Sequence, residues 1–372
     1  MAPGGERRIM LFARIDSRPW DKGVSAMTRS TRFAAFATAA VVAFSLAGAA
    51  NAADPYKAPR NGFGQPDLSG TWTNASVTQL ERPAQYKSLV MTPDQAKAME
   101  KASIASASSI DSRPSDPKAG APAKGEDPGG YNAFWIDPGT RAGQIKGEYR
   151  SSWLTDPADG RLPWSAEGRK MFMKDIARIQ GDFANPEARQ LAEQCLLGFG
   201  STAGPPMMNV LYNNTYQIQQ DADHVAILVE MDHDVRVIRL NAKEHLPANI
   251  RPWMGDSIGH WEGDTLVVET TNFNPGESLR PGIPTVVYLS PNAKVTERFT
   301  RISATQILYQ FQVDDPAVYT KTWRGEMPFN VSRGPLYEYA CHEGNYALPG
   351  ILAGARHAEA QGKKVEATGI AE

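Results

Sequence analysis

From Met208 onward the chain reads with a period of two, and this alternation constrains its fold more than any other feature. Residues 210–219, 225–231, 235–240, 265–271, 285–289, 294–301, 306–313 and 318–324 are strand-like and are separated mostly by short turns. Successive strands joined by short links pair antiparallel, and no helix-like stretch after residue 200 supplies a crossover. The expected fold is mainly β: an antiparallel meander closing into a barrel or sandwich, with a few peripheral helices. A doubly wound nucleotide-binding fold is disfavoured, and no glycine-rich phosphate loop stands at a strand-helix junction.

Within this half, residues 254–274 read as a complete hairpin. Residues 257–261 run up, Glu262-Gly263-Asp264 turns with the glycine free to take positive φ, and residues 265–271 run back. Trp253, Asp256, His260 and Trp261 sit on or near it and are candidate pocket residues. Alternation also assigns faces. Glu297 shares a face with Val295 and Phe299, and in residues 235–240 one arginine shares a face with apolar side chains whichever way the strand is turned. An ionised group facing an interior needs a partner or a chemical role. Two readings are open: a buried Glu-Arg pair tying strands together, or a pocket carboxylate for proton transfer with Arg236 anchoring an anion.

The amino-terminal half has a different texture. Met27 is followed by Arg29 and Arg32, the apolar run 33–50, and the small-x-small end Ala50-Asn51-Ala52, which together read as an export signal cleaved after Ala52. Residues 1–26 read as an upstream extension. Removing residues 1–52 takes away seven basic and three acidic residues and leaves 32 Lys/Arg against 38 Asp/Glu, a formal charge of −6. A mildly acidic surface argues against a nucleic-acid partner. No second apolar run is long enough to span a bilayer, so no stable membrane insertion is expected after cleavage.

After a flexible lead over 53–65, a single β-rich domain is expected over 66–356, with a tail over 357–372. Thr92, Pro93 and Gln95 open a helix as N-cap, first helical residue and capping-box partner. Residues 110–130 lack any apolar period and read as a disordered loop. Tyr131 and Trp135 belong to an aromatic cluster and are candidate pocket walls. Residues 165–180 read as a helix capped by Ser165, and Asn185-Pro186-Glu187 opens another that carries Leu191, Cys195 and Leu196. A last helix is expected over 348–361.

Cys195 and Cys341 both fall in the exported part. Two lone cysteines in an oxidising compartment favour a disulfide, here closing a loop of about 145 residues. The competing reading is a thiol nucleophile at Cys341 beside His342. If the bond forms, His342 and Glu343 are held rigidly past the last strand, as a proton-transfer pair requires. The six histidines show no tight metal-ligand spacing, so no metal is expected. Asp232-His233-Asp234 reads as a solvated hairpin tip, and no Gly-x-Ser-x-Gly elbow is present.

Gly70-Thr71-Trp72 resembles the opening of lipocalin-like barrels, in which the indole closes the barrel bottom. Together with Pro66-Asp67-Leu68-Ser69, Tyr131-Asn132-Ala133-Phe134-Trp135, Asp159-Gly160-Arg161-Leu162-Pro163, Trp261-Glu262-Gly263-Asp264-Thr265-Leu266-Val267-Val268 and Cys341-His342-Glu343-Gly344-Asn345-Tyr346, it resembles a family of exported bacterial β-rich proteins that carries no assigned activity. The resemblance covers residues 66 to about 356, and its last two motifs are specific. It implies secretion to the periplasm or beyond and a lipocalin-like body.

The first functional expectation is an exported enzyme of lyase or isomerase type. It works without an organic cofactor, by proton transfer on an apolar or aromatic small molecule. Glu343 or Glu297 is its base and His342 or His260 its acid partner. Arg236 is its anchor, with Trp135, Trp253 and Trp261 as walls and Tyr131 and Asp256 also substrate-binding. The alternatives are a periplasmic small-molecule carrier without chemistry and a structural envelope protein.

Overall fold

The computed structural model describes residues 56–111, 138–198, 204–282 and 284–363. The export signal expected over 27–52, Tyr131, Trp135 and nearly all of the loop expected over 110–130 lie outside the described residues. In chain order the first elements are β1 (Gly70–Thr73), β2 (Val90–Met91), α1 (Pro93–Asp111), β3 (Gln144–Ile145), β4 (Glu148–Arg150), β5 (Leu154–Asp156) and α2 (Ala166–Gly181). Then come β6 (Thr215–Gln220), β7 (His224–Val229), β8 (Val235–Leu240), β9 (Asp256–Glu262), β10 (Thr265–Thr271), β11 (Leu279–Pro281) and β12 (Val286–Tyr288). The last are β13 (Lys294–Ser303), β14 (Gln306–Asp314), β15 (Trp323–Val331), α3 (Cys341–Gly344) and α4 (Ala347–Ala360).

Nine strands close a barrel in the order β1-β6-β7-β8-β9-β10-β13-β14-β15, with β15 returning to β1 through Trp72↔Val331 and Thr73↔Asn330. All neighbours are antiparallel except β8 and β9, which run parallel through Ile238↔Ser257 and Leu240↔Gly259. The expected meander is therefore broken once. Residues 241–255 make that crossing as an irregular connection rather than a helix, returning the chain to the end of the barrel from which β8 started.

Two further expectations are corrected. The last barrel strand is not 318–324 but β15, which begins at Trp323 and contains Pro328. Proline is tolerated there because Pro328 faces Leu308 on one side, while the other flank falls between β5, paired at Arg324 and Gly325, and β1, paired from Asn330. The second helix expected from Asn185 is only a 3₁₀ turn, Pro186–Ala188, because Arg189 turns extended and Cys195 takes φ +54°. By contrast, Ser165 caps α2 as expected, and Thr92 and Gln95 exchange both capping-box hydrogen bonds (2.9 and 3.2 Å).

The register separates two barrel ends. At the end holding the β9–β10 turn, Trp72 is 1% exposed and donates its indole N–H to Leu68 O at 2.9 Å. The Arg301 guanidinium covers its ring at 5.4 Å. Gly70 adopts φ +139°, a region closed to most side chains, where the chain turns into β1 above this plug. The interior is filled by Tyr216, Phe299, Tyr309, Phe311, Met327 and Phe329, all nearly inaccessible. At the other end, the mouth, lie residues 230–235, the β11–β12 hairpin, α2 and the start of β9.

Cys195 and Cys341 are bonded, with their Cα atoms 5.7 Å apart, so Cys341 is no free nucleophile. The bond staples α3 to the turn that follows α2, and Asn345 Nδ2 reinforces it by donating to Glu193 O at 2.7 Å. A cross-link spanning 146 residues restricts the unfolded chain strongly. Cys341→Ser is expected to lower stability by about 2–4 kcal/mol. Urea unfolding would register this as an earlier midpoint that reductant does not lower further, and an unchanged midpoint would contradict it.

Candidate functional site at the barrel mouth

The buried charges begin in the middle of the barrel. On β8, Arg236 alternates inward with Ile238 and Leu240, and on β13 Glu297 alternates inward with Val295 and Phe299. Arg236 donates to Glu297 through Nη1 (2.9 Å) and Nη2, and also to Ser257 Oγ (3.1 Å) and Thr270 Oγ1 (2.9 Å). Tyr309 donates its hydroxyl to Glu297 Oε1 at 2.8 Å and accepts the Met207 N–H at 2.8 Å. Burial, then the Glu297 charge, push the Tyr309 hydroxyl well above the usual tyrosine range. Every member is partnered and sealed from solvent, so the network ties β8, β9, β10, β13 and β14 together. All three nitrogens of Arg236 are already engaged inside this network rather than aimed at a ligand.

The mouth above this network is different. Asn274 caps the 3₁₀ turn Pro275–Glu277 by accepting the Gly276 N–H (2.9 Å), and this directs Glu277 inward, 4% exposed. Its Oε1 has no hydrogen-bond partner. Burial raises the Glu277 carboxyl to about 7, with Arg280 opposing and Asp234 adding to the rise. Three residues on, Arg280 on β11 is fully buried, and Nε, Nη1 and Nη2 all lack a hydrogen-bond partner. Its guanidinium lies 5.2 Å from the Phe273 ring centroid. A second group of acids adjoins them. Asp232 is 7% exposed at φ +56°, and burial raises its carboxyl against the pull of His233 and His342. Asp234 is raised to about 6 by burial and by Asp232. Each aspartate keeps one buried oxygen without a partner, so the Asp232-His233-Asp234 turn is not the solvated tip expected, although His233 itself is exposed.

Glu277 also forms part of a cleft between this turn and α2, about 30 Å³ in volume, bounded by Asp175, Ile179, Leu191, Ser278 and Leu279. At its edge the Tyr288 hydroxyl donates to Asp175 Oδ2 at 2.8 Å. A space of this size holds one or two waters or the polar head of a ligand. It is well below the roughly 300 Å³ of a carrier cavity.

The structure joins Arg236 to Glu297 and leaves most of the other described candidates apart from them. His342 and Glu343 are exposed on α3, so the disulfide fixes their backbone without aiming a proton-transfer pair into the barrel. His260 points outward beside Glu262 (3.3 Å), because Ser257, Gly259 and Trp261 take the inward positions of β9. Trp261 packs against the core near the plugged end, remote from the mouth by register. Trp253 is 38% exposed and leans over Gly276 at the mouth. Asp256 is buried, but Arg239 (2.9 Å), His245 (2.8 Å) and the Leu246 N–H (2.8 Å) all bind it. Burial raises its carboxyl, yet these bonds outweigh burial and hold it below the usual range, as suits a structural anion rather than a base. Glu277 and Arg280 were not singled out by sequence. The only trace of them is two charged residues within Phe273–Pro281, a stretch whose Pro and Gly hide its three-residue strand.

Together these observations define a class: a closed, mixed β-barrel whose disulfide-stapled mouth holds a buried acid beside an unsatisfied arginine. Comparison with protein-family models, with curated proteins and with solved structures finds no match to this chain.

Proposed function

We propose that the protein is an exported enzyme of lyase or isomerase type that moves a proton on a small molecule with an apolar or aromatic body, and that Glu277 is its acid-base group. The supporting observation is Glu277 itself: a buried carboxyl beside a cleft, with one oxygen unpartnered and a pKa of about 7. General acid-base catalysis works best when the group titrates near the working pH. The Glu277 carboxylate accepts a proton from a substrate carbon, and the C–H electron pair moves into the adjoining unsaturated group. Return of the proton at a second carbon completes an isomerisation. Expulsion of a leaving group with that electron pair completes an elimination, and Glu277 then releases its proton to solvent. The disulfide and the exported setting fit an oxidising compartment, the periplasm or the outside of the cell.

The test uses deuterated buffer and a panel of small apolar and aromatic compounds bearing an acidified C–H. The wild type is expected to catalyse deuterium incorporation or elimination on a subset, and Glu277→Gln to lose about 10²- to 10⁴-fold of that rate. A panel-wide absence of catalysed exchange, or full activity in the variant, would refute the assignment. One observation favours a non-catalytic envelope protein instead: the barrel is filled, and Val235 and Val237 on the outer face of β8 are 50% and 49% exposed. That reading predicts no exchange by either form.

A further inference from the structure

Arg236 and Arg280 are the two most deeply buried arginines among the described residues, and they differ in one respect. Arg236 spends its donors on Glu297, Ser257 and Thr270. Arg280, equally inaccessible, makes no hydrogen bond through any of its three nitrogens. A buried guanidinium left without acceptors is strongly disfavoured, and a protein retains one where something else supplies the acceptors. Phe273 occupies one region beside the group at 5.2 Å, and a ring face leaves the N–H edge unsatisfied. Glu277 exerts its charge on Arg280 without hydrogen-bonding to it.

The surroundings say what kind of acceptor fits. Gly204 borders the guanidinium so closely that a Cβ there would stand 2.8 Å from Nη1 and 3.5 Å from Met254. The chain at Gly204 packs directly against the guanidinium, and a side chain there would press on its donors. Met254 in turn packs with Leu191 and Leu197, so the wall on that side of the charge is apolar. A planar fork with parallel N–H donors matches a carboxylate, which accepts two hydrogen bonds side by side. The guanidinium has acidic neighbours but no acceptor on its donors, and a single carboxylate would supply two.

We propose that Arg280 is an anion-recognition group and that the molecule taken up at the mouth is a small monocarboxylate, its head on the guanidinium edge and its apolar body against Met254 and Phe273. This deepens the proton-transfer reading and rests on it only for the claim that the bound molecule is a substrate. Held this way, the carboxylate places its neighbouring carbon toward Glu277, and the positive charge favours the dianionic enediolate that proton removal creates over its monoanionic precursor.

The experiment is calorimetric titration of the full exported chain with acetate and benzoate, and with acetamide and benzamide as neutral counterparts of the same shape. The carboxylates are expected to bind about ten- to a hundredfold more tightly than the amides, and Arg280→Met to abolish the difference. Arg280→Met is expected to fold at least as well as the wild type, because it removes an unpaired buried charge. Gly204→Ala, which keeps the arginine but presses a methyl group against Nη1, is expected to weaken benzoate binding. Equal affinity for acids and amides, undiminished benzoate binding in both variants, or no binding of either acid would overturn the proposal. The two readings fail separately. Carboxylate binding through Arg280 without catalysed exchange sinks the enzyme and leaves the anion site standing. Glu277-dependent exchange on neutral compounds, unaffected by Arg280→Met, does the reverse.

Discussion

Glu297→Gln is expected to destabilise the barrel by about 3–5 kcal/mol. Glu297 accepts from two nitrogens of Arg236 and from the Tyr309 hydroxyl, and neither partner can reach water, since Arg236 is 3% exposed and Tyr309 0%. The amide keeps the volume but brings no charge and presents a second donor to a site built from donors. The guanidinium is then left uncompensated in a low-dielectric interior, where an unpaired ion is penalised far more than at a surface. Replacing both partners, as Arg236→Met with Glu297→Leu, is expected to recover most of the loss, because the pair mainly offsets its own desolvation. Urea unfolding of the two single variants and the double variant measures this coupling directly. A Glu297→Gln protein within about 1 kcal/mol of wild type would mean that the pair is far better hydrated than its burial indicates.

Glu277→Gln is expected to move stability in the opposite direction. The carboxyl titrates near 7 in the folded chain against 4.5 as its ordinary value, with burial the main cause. A raised acid contributes most to folding below about pH 4.5, where it is protonated in both states, and that contribution is lost as pH climbs through 7. Above that, the wild type carries a penalty of about 3 kcal/mol that glutamine never incurs. The variant should match the wild type near pH 4 and exceed it by up to that amount at pH 8. Asp234, raised to about 6, and Asp232 tilt both proteins the same way and largely cancel in the difference. Gained stability together with lost proton transfer is what a group kept for chemistry rather than for folding should show. A variant less stable than wild type at pH 8 would point to an ionised, well-partnered Glu277.

Much of this could be read from single residues. Alternation along β13 set Glu297 on an apolar face, along β8 it required that one arginine share such a face without choosing between Arg236 and Arg239, and the Ser165 and Thr92 caps marked helix starts through local chemistry. The Gly70-Thr71-Trp72 plug and the Cys195–Cys341 bond were legible for similar reasons. What escaped depends on long-range packing. The parallel β8–β9 pair is set by the course of residues 241–255, and Pro328 is admitted to β15 by a gap between β5 and β1. The mouth site is of the same kind. Glu277 and Arg280 sit in a three-residue turn and a three-residue strand with no periodicity to assign a face, and they become unusual only once the barrel buries them. His342 and Glu343 misled because a rigid backbone does not determine which way its side chains point.

The most direct test is the titration of Glu277 itself, followed by its carboxyl carbon-13 resonance in glutamate-labelled protein and assigned by its loss in Glu277→Gln. The account predicts a midpoint near 7, moving higher in Arg280→Met once the opposing positive charge is gone. A midpoint at the ordinary 4.5, or one indifferent to the arginine, would contradict the buried acid beside an unsatisfied cation on which the proposed chemistry stands.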